Sequence, residues 1–242
     1  MLDLLSIYSE ALFGFLGVII GGTITFFTER HFRKKDQFKK NRINYMLSMN
    51  QLSKVYSEQY VLLKGLTKQL PNHKPDIFVN NVLPQFSNAI KPVDFDVERL
   101  VTLAVKKKTF FNDIQLAFDK HDSVIQLFLD YQNNRNGLEK YLKIEALNLN
   151  NNSAVIEFDL SDSKAITHFV TTENLLRTLI LHLNENINDC RKLLTEISDF
   201  GDQKYKTEYK FLKTPKFPSY INNLENINIG DLPPFKKAKK PE

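Results

Sequence analysis

The sequence predicts an all-α protein in which an N-terminal transmembrane helix continues into a long helical arm, followed by an antiparallel cytoplasmic helical bundle and a mobile C-terminal tail. Three observations support this fold class. Residues 11–28 carry no charge, long stretches space their apolar residues in alternating steps of four and three, and residues 213–242 are rich in proline and lysine. The predicted domains are an anchor at 1–28, a basic segment and arm at 29–71, a helical domain at 72–212 and a flexible tail at 213–242.

The anchor is predicted from its length and polarity. The run from Ala11 to Thr28 is uncharged over 18 residues, and the apolar residues between Leu4 and Tyr8 extend it upstream. A helix of about 20 residues crosses a hydrocarbon core of roughly 30 Å. A secretory signal peptide would place cations before the apolar run, whereas here Asp3 and Glu10 precede it and cations follow. A buried core helix in a soluble protein is the alternative that stays open.

The basic segment after the anchor predicts its orientation. Residues 29–42 hold seven cations and two acids, and cations mark the cytoplasmic side of a membrane helix. The N-terminus is therefore expected outside and residues 30–242 in the cytoplasm. Frequent Asn, Lys and Ile are typical of AT-rich genomes, which favours a bacterial inner membrane.

The same cations predict an interaction with lipid. Each cation near an anionic membrane surface contributes about 1 kcal/mol of attraction. Membrane lipid is thus an expected partner through residues 5–42. The cations that serve topology and lipid binding are Arg30, Arg33, Lys34, Lys35, Lys39, Lys40 and Arg42.

One face of the predicted membrane helix is lined with small residues. At 100° per residue they fall within a stripe about 120° wide, and they are Ala11, Gly14, Gly17, Gly21 and Thr25. Small residues let two helix backbones approach closely in lipid. The stripe predicts pairing with a second copy or with another membrane helix, although glycine is also common in membrane helices generally.

The arm carries an apolar heptad seam typical of a coiled coil. Its members follow steps of four and three with one miss at Gln59, and they are Tyr45, Met49, Leu52, Tyr56, Leu63, Leu66 and Leu70. No residue between Phe27 and Leu70 breaks a helix strongly, since Gly65 is the one weak point. The membrane helix is therefore predicted to continue directly into the arm, which Pro71 ends.

Further elements are predicted after the arm. Asp94 is a candidate N-cap for a helix that carries Val97, Leu100, Val101 and Ala104 and ends on the lysines at 106–108. A second, long helix is predicted over 110–147. Residues 148–152 are a loop by composition. Apolar residues alternate with acids over 156–160, which predicts a short strand or an extended segment without an obvious partner.

The last predicted helix begins at Thr172 and has the most regular seam in the chain. Its breadth is what a bundle helix needs, and the seam is also the predicted surface for a helical partner. The seam residues are Leu176, Ile180, Leu183, Ile187, Leu194 and Ile197, with Cys190 between them.

The overall charge of +5 invites a nucleic-acid interpretation that its distribution argues against. Residues 43–202 carry a net charge of −3, while 29–42 and 203–242 carry +5 each. A nucleic-acid-binding domain carries its positive stripe on its own surface. The lysines of the tail leave open a contact with anionic membrane or nucleic acid, and a solvated tail is the commoner role.

Motifs that carry chemistry are absent from the sequence. No phosphate-binding glycine loop, zinc-protease motif or nucleophile elbow occurs, and a single cysteine excludes multi-cysteine metal sites. We therefore predict no cofactor, no metal and no catalytic residue. Structural or surface roles are expected for His31, His73, His121, His168 and His182, and a buried apolar role for Cys190.

Three functions remain consistent with the sequence. The first is a membrane-anchored protein whose helical domain serves protein–protein interaction or self-assembly, including a homo-oligomer. The second is a membrane-tethered effector or sensor of a bacterial stress or antiphage system. The third is an enzyme on a helical scaffold, with Glu157, Asp159, Asp162 and His168 as its site. A small-molecule ligand stays unspecified.

Overall fold

A computed structural model describes residues 2–72, 74–79, 90–94, 96, 108–148, 153–158, 162–206 and 217–228. Within helices and strands, the side chains of residues 2–12, Lys108, Glu139 and the two strands are not described. The elements are α1 (Leu2–Thr67), α2 (Lys108–Glu139), β1 (Leu142–Asn148), β2 (Ser153–Phe158), α3 (Ser163–Tyr205) and a short 3-10 helix, η1 (Ser219–Asn223). A helical bundle is thus confirmed as the fold of this chain.

Helix α1 is continuous over 66 residues. The N-terminal apolar run and the arm therefore form one continuous helix, as the lack of helix-breaking residues predicts. All seven seam residues from Tyr45 to Leu70 are buried. Gln59, the one polar residue that interrupts the seam, is buried as well, because its side chain contacts His121 of α2.

Helix α2 is shorter than predicted. It ends at Glu139, so the prediction of a helix running to Leu147 is wrong. Leu142–Asn148 instead forms β1, which pairs antiparallel with Ser153–Phe158. A residue pattern that fits a helix locally becomes a strand here because a second strand lies close enough in sequence to pair with it. Of the loop predicted at 148–152, Asn148 is the last residue of β1, and 149–152 lie outside the described residues.

The strand predicted over 156–160 thus has a partner that the sequence did not reveal. The register joins Leu142 to Phe158 and Asn148 to Ser153, with an irregularity between Ile144 and Ala146. Residues 159–161 lie outside the described residues.

Helix α3 begins nine residues earlier than predicted, at Ser163. The Asp162 carboxylate accepts a hydrogen bond from the Lys164 N–H at 2.8 Å and caps the helix. Thr172 is instead buried inside the helix, where its hydroxyl donates to the His168 carbonyl. The helix ends at Lys206, a left-handed residue with φ 53° whose N–H donates to the Asp202 carbonyl.

The bundle is antiparallel only in part. Helix α3 runs opposite to α1, because Phe38 contacts Tyr205 and the later Tyr45 contacts the earlier Ile197. It also runs opposite to α2, where Phe110 contacts Phe200 and Lys120 contacts Asp189. Helices α1 and α2 therefore run parallel to each other. In the connector between them (residues 68–107), Lys91 contacts Glu58 of α1 and His121 of α2, so the chain is partway back along the bundle at that residue. Most of the helix predicted between Asp94 and the lysines at 106–108 lies outside the described residues, and Lys108 begins α2 instead of ending that helix.

Part of the predicted tail belongs to the folded body. Ile221 and Leu224 are buried in the core, and the Tyr220 hydroxyl donates to the Pro71 carbonyl at 2.8 Å. Residues 217–228 are therefore packed, which corrects the prediction of a flexible tail beginning at 213. The arm likewise shares one core with 72–212 instead of forming a separate domain.

Within the described part of the chain, no helix segment is both long enough and apolar enough to cross a bilayer.

Candidate functional site

The N-terminal half of α1 projects from the bundle. It consists of an apolar stretch from Phe13 to Phe27, the apolar rod, followed by the basic segment. Every side chain from Phe13 to Lys40 is exposed. These include large apolar groups such as Phe13 (72% exposed), Val18 (74%) and Phe27 (61%). Burying such a side chain contributes about 1.5–3 kcal/mol, and uncovered apolar surfaces of this extent are typical of interaction sites.

The glycines of this rod face open space. A methyl group placed at Gly14, Gly17 or Gly21 would meet no atom within 4 Å. Thr25 lies one turn beyond Gly21, and its hydroxyl donates to the Gly21 carbonyl at 2.8 Å. From Gly14 onward, no other described element of the chain covers the small-residue stripe, while the side chain of Ala11 is not described.

The basic segment is exposed along its whole length. All seven of its cations are solvent-accessible, and Arg33 forms an exposed ion pair with Glu29 one turn away. Exposed ion pairs of this kind contribute little to stability. The segment thus carries its positive charge into solvent directly beyond the apolar rod.

The bundle begins where α1 meets the end of α3. The Phe38 and Tyr205 rings lie 5.4 Å apart, and the Tyr45 hydroxyl donates to the Ile197 carbonyl at 3.3 Å. At 1.5 Å per residue, Phe38 is about 15 Å along the helix from Thr28. The basic segment therefore bridges the apolar rod and the packed core.

The predicted interaction seam of α3 faces inward. Its residues contact α1 and α2 inside the chain's own core and are at most 2% exposed; they are Leu176, Ile180, Leu183, Ile187, Leu194 and Ile197. This burial corrects the interpretation of the seam as a surface for another chain.

Cys190 lies on the same seam and is buried. Burial, with a smaller contribution from the neighbouring Asp189, raises the pKa of its thiol to about 12, which nearby Lys120 opposes. The thiol therefore stays protonated at neutral pH and is a poor nucleophile.

His121 links α1, α2 and the connector. Gln59 Nε2 lies 3.2 Å from His121 Nδ1, and His121 Nε2 lies 2.8 Å from the Lys91 carbonyl. The amide nitrogen of Gln59 donates to Nδ1, so Nε2 carries the proton and donates to the carbonyl. Glu58 accepts from the Lys91 N–H at 3.1 Å. His121 thus has the structural role that the sequence predicts.

Two of the four residues considered for catalysis, Asp162 and His168, have described side chains, and each has a structural contact of its own. His168 packs against the Tyr141 ring at 5.6 Å, Asp162 is the helix cap, the side chain of Glu157 is not described, and Asp159 lies outside the described residues. His182 is exposed on α3. Among the described side chains, no three His, Cys, Asp or Glu residues are placed to hold a metal ion.

A buried charged network at the far end of the bundle is the feature that sequence reasoning missed. Glu173 accepts hydrogen bonds from Arg177 Nε at 2.6 Å and from the backbone N–H groups of Phe78 and Val79 at 2.8–3.0 Å. Arg177 also donates to the Asp76 carbonyl at 2.6 Å. The sequence signal was the four-residue spacing of Glu173 and Arg177, which exposed helical ion pairs share.

No family model, no curated protein and no solved structure matches this chain. Its function is therefore argued from its own residues and their arrangement.

Proposed function

We propose that this chain is a single-pass membrane protein whose cytoplasmic helical bundle serves protein–protein interaction or self-assembly. One observation carries the proposal: the apolar rod from Phe13 to Phe27 is uncovered within the chain. The exposed cations that follow it supply the orientation, since cations favour the cytoplasmic side.

Lipid suits the rod better than a single protein partner does. Phe13 and Ile24 lie on one side of the helix, and Phe15 and Phe26 lie about 200° around it at 100° per residue. One partner helix covers only one side, whereas a helix that is apolar all round fits a hydrocarbon environment. A helix also satisfies its own backbone hydrogen bonds, as lipid requires.

The proposed anchor includes residues that precede the first described side chain. The uncharged run begins at Ala11, and apolar residues continue upstream to Leu4 across Glu10. Counted from Ala11 to Thr28, a helix is about 27 Å long, close to the roughly 30 Å of a hydrocarbon core.

Replacing Val18 by Arg tests the anchor. A charged side chain at the centre of a membrane helix costs about 2.5–3.5 kcal/mol on insertion scales, so we expect V18R to move protein from the membrane pellet to the supernatant after alkaline carbonate extraction. Val61, which is 62% exposed on the bundle part of the same helix, provides the matched control V61R. Wild-type protein in the carbonate supernatant would contradict the proposal.

Self-assembly is proposed through the small-residue stripe. Leu at Gly17 and Gly21 keeps the helix and its hydrophobicity but prevents close backbone approach. We expect G17L/G21L to lose most of the dimer that crosslinking captures in native membranes, while Gly22→Leu, beside the stripe, retains more of it. Equal crosslinking of wild type and G17L/G21L would contradict self-assembly through this face. It would not bear on the proposal that the helix is a membrane anchor.

A further inference from the structure

Arg135 is a buried cation that no carboxylate among the described side chains pairs with. Its side chain on α2 is 7% exposed, and Nη1 donates to the Val79 carbonyl at 3.0 Å. None of the ion pairs among the described residues includes it. A guanidinium taken out of water needs counter-charge or several hydrogen bonds to replace its hydration, and one carbonyl does not supply them.

Two buried hydrogen-bond donors are unused here, and one of them belongs to the guanidinium itself. Among the described residues, neither Arg135 Nε nor the Tyr131 hydroxyl has a hydrogen-bond partner. The two residues are one turn apart, which places them on the same face of α2. The pKa of the Tyr131 hydroxyl is raised, chiefly by burial. Arg135 opposes this rise and Glu173 adds to it. The hydroxyl therefore stays protonated and able to donate at neutral pH.

The carboxylate of the same cluster is already occupied. Glu173 accepts from Arg177 and from the N–H groups of Phe78 and Val79. Among the described side chains of the cluster, Arg135 and Arg177 are positive and Glu173 is negative, so their charges sum to +1. Buried donors without an acceptor call for a bound water or ion, and the positive charge of the cluster favours an anion.

We propose that the Tyr131 hydroxyl and Arg135 Nε bind a small inorganic anion. An ion with the charge and size of chloride accepts both hydrogen bonds and neutralises the buried guanidinium. Because Arg135 also holds the Val79 carbonyl, the bound anion would stabilise the connector where it packs on the end of the bundle. The site is separate from the proposed anchor and does not depend on it.

Thermal unfolding of the full-length chain in detergent tests the site. Chloride is exchanged for gluconate, a much larger anion, at constant ionic strength. We expect the wild-type midpoint to rise by about 3 °C in chloride, and the rise to shrink in Tyr131→Phe and to vanish in Arg135→Met. Lys140→Met, which removes an exposed cation after α2, should keep the full rise.

Two results would overturn the proposal. Equal wild-type midpoints in the two salts would mean that water or nothing fills the site. A rise in Tyr131→Phe and Arg135→Met as large as in wild type would place the anion effect elsewhere on the protein. Tyr131→Phe differs by a single oxygen atom, so it decides the question even where Arg135→Met fails to fold.

Discussion

Replacing Glu173 by Ala is expected to lower the free energy of unfolding by about 3–5 kcal/mol, the usual cost of removing one partner of a buried ion pair. The carboxylate is fully buried. Without it, the N–H groups of Phe78 and Val79 lose their acceptor, and Arg177 stays buried without an opposite charge. Urea unfolding followed by far-ultraviolet circular dichroism measures the loss.

Two companion variants separate the network from the simple removal of an acid. Glu185 is exposed on the same helix, so E185A should change stability by no more than about 0.5 kcal/mol. In E173A/R177M both charges are gone, and the double variant is expected to be more stable than E173A. A stability of E173A within about 1 kcal/mol of wild type would show that the network does not hold the connector.

Replacing Gly201 by Ala is expected to destabilise the protein by about 1–3 kcal/mol through overpacking. A Cβ atom at this position would overlap the ring and hydroxyl of Tyr45. Both groups are buried where α1 and α3 cross, so neither side can move into solvent. Thermal unfolding of the variant, compared with wild type in the same detergent, measures the effect.

A double-mutant cycle identifies the clash as the cause. Tyr45→Leu removes the end of the ring that meets position 201, so G201A should cost less in the Tyr45→Leu background than in wild type. Gly137→Ala is the control, because a methyl group there meets His168 only at an ordinary contact distance of 3.5 Å. Equal costs of G201A in both backgrounds would assign its effect to something other than Tyr45.

Much of the fold could be predicted because it depends on local spacing. The seams of α1 and α3 are heptad patterns, and a pattern of this length specifies a buried helical face wherever the partner lies. The continuity of α1 followed from the absence of proline between Phe27 and Leu70. The buried role of Cys190 followed from its place on the α3 seam.

The remaining features depend on contacts between residues far apart in sequence. Strand β1 exists because β2 pairs with it, and its own residues fit a helix equally well. Gln59 interrupted the α1 seam, and only its contact with His121 explains why it is buried. Glu173 and Arg177 have the spacing of a surface ion pair, and the connector that covers them could not be placed from sequence.

The orientation of α1 across a membrane is the central claim, and labelling of single cysteines tests it most directly. Native Cys190 is buried with a raised pKa, so it adds little background. Asp3→Cys precedes the apolar residues that extend the proposed anchor upstream to Leu4, and Lys68→Cys is exposed directly after α1 ends at Thr67. In intact cells, a membrane-impermeant maleimide should label Asp3→Cys and leave Lys68→Cys unlabelled until the cells are broken. Labelling of both positions from the same side would contradict a membrane-spanning anchor.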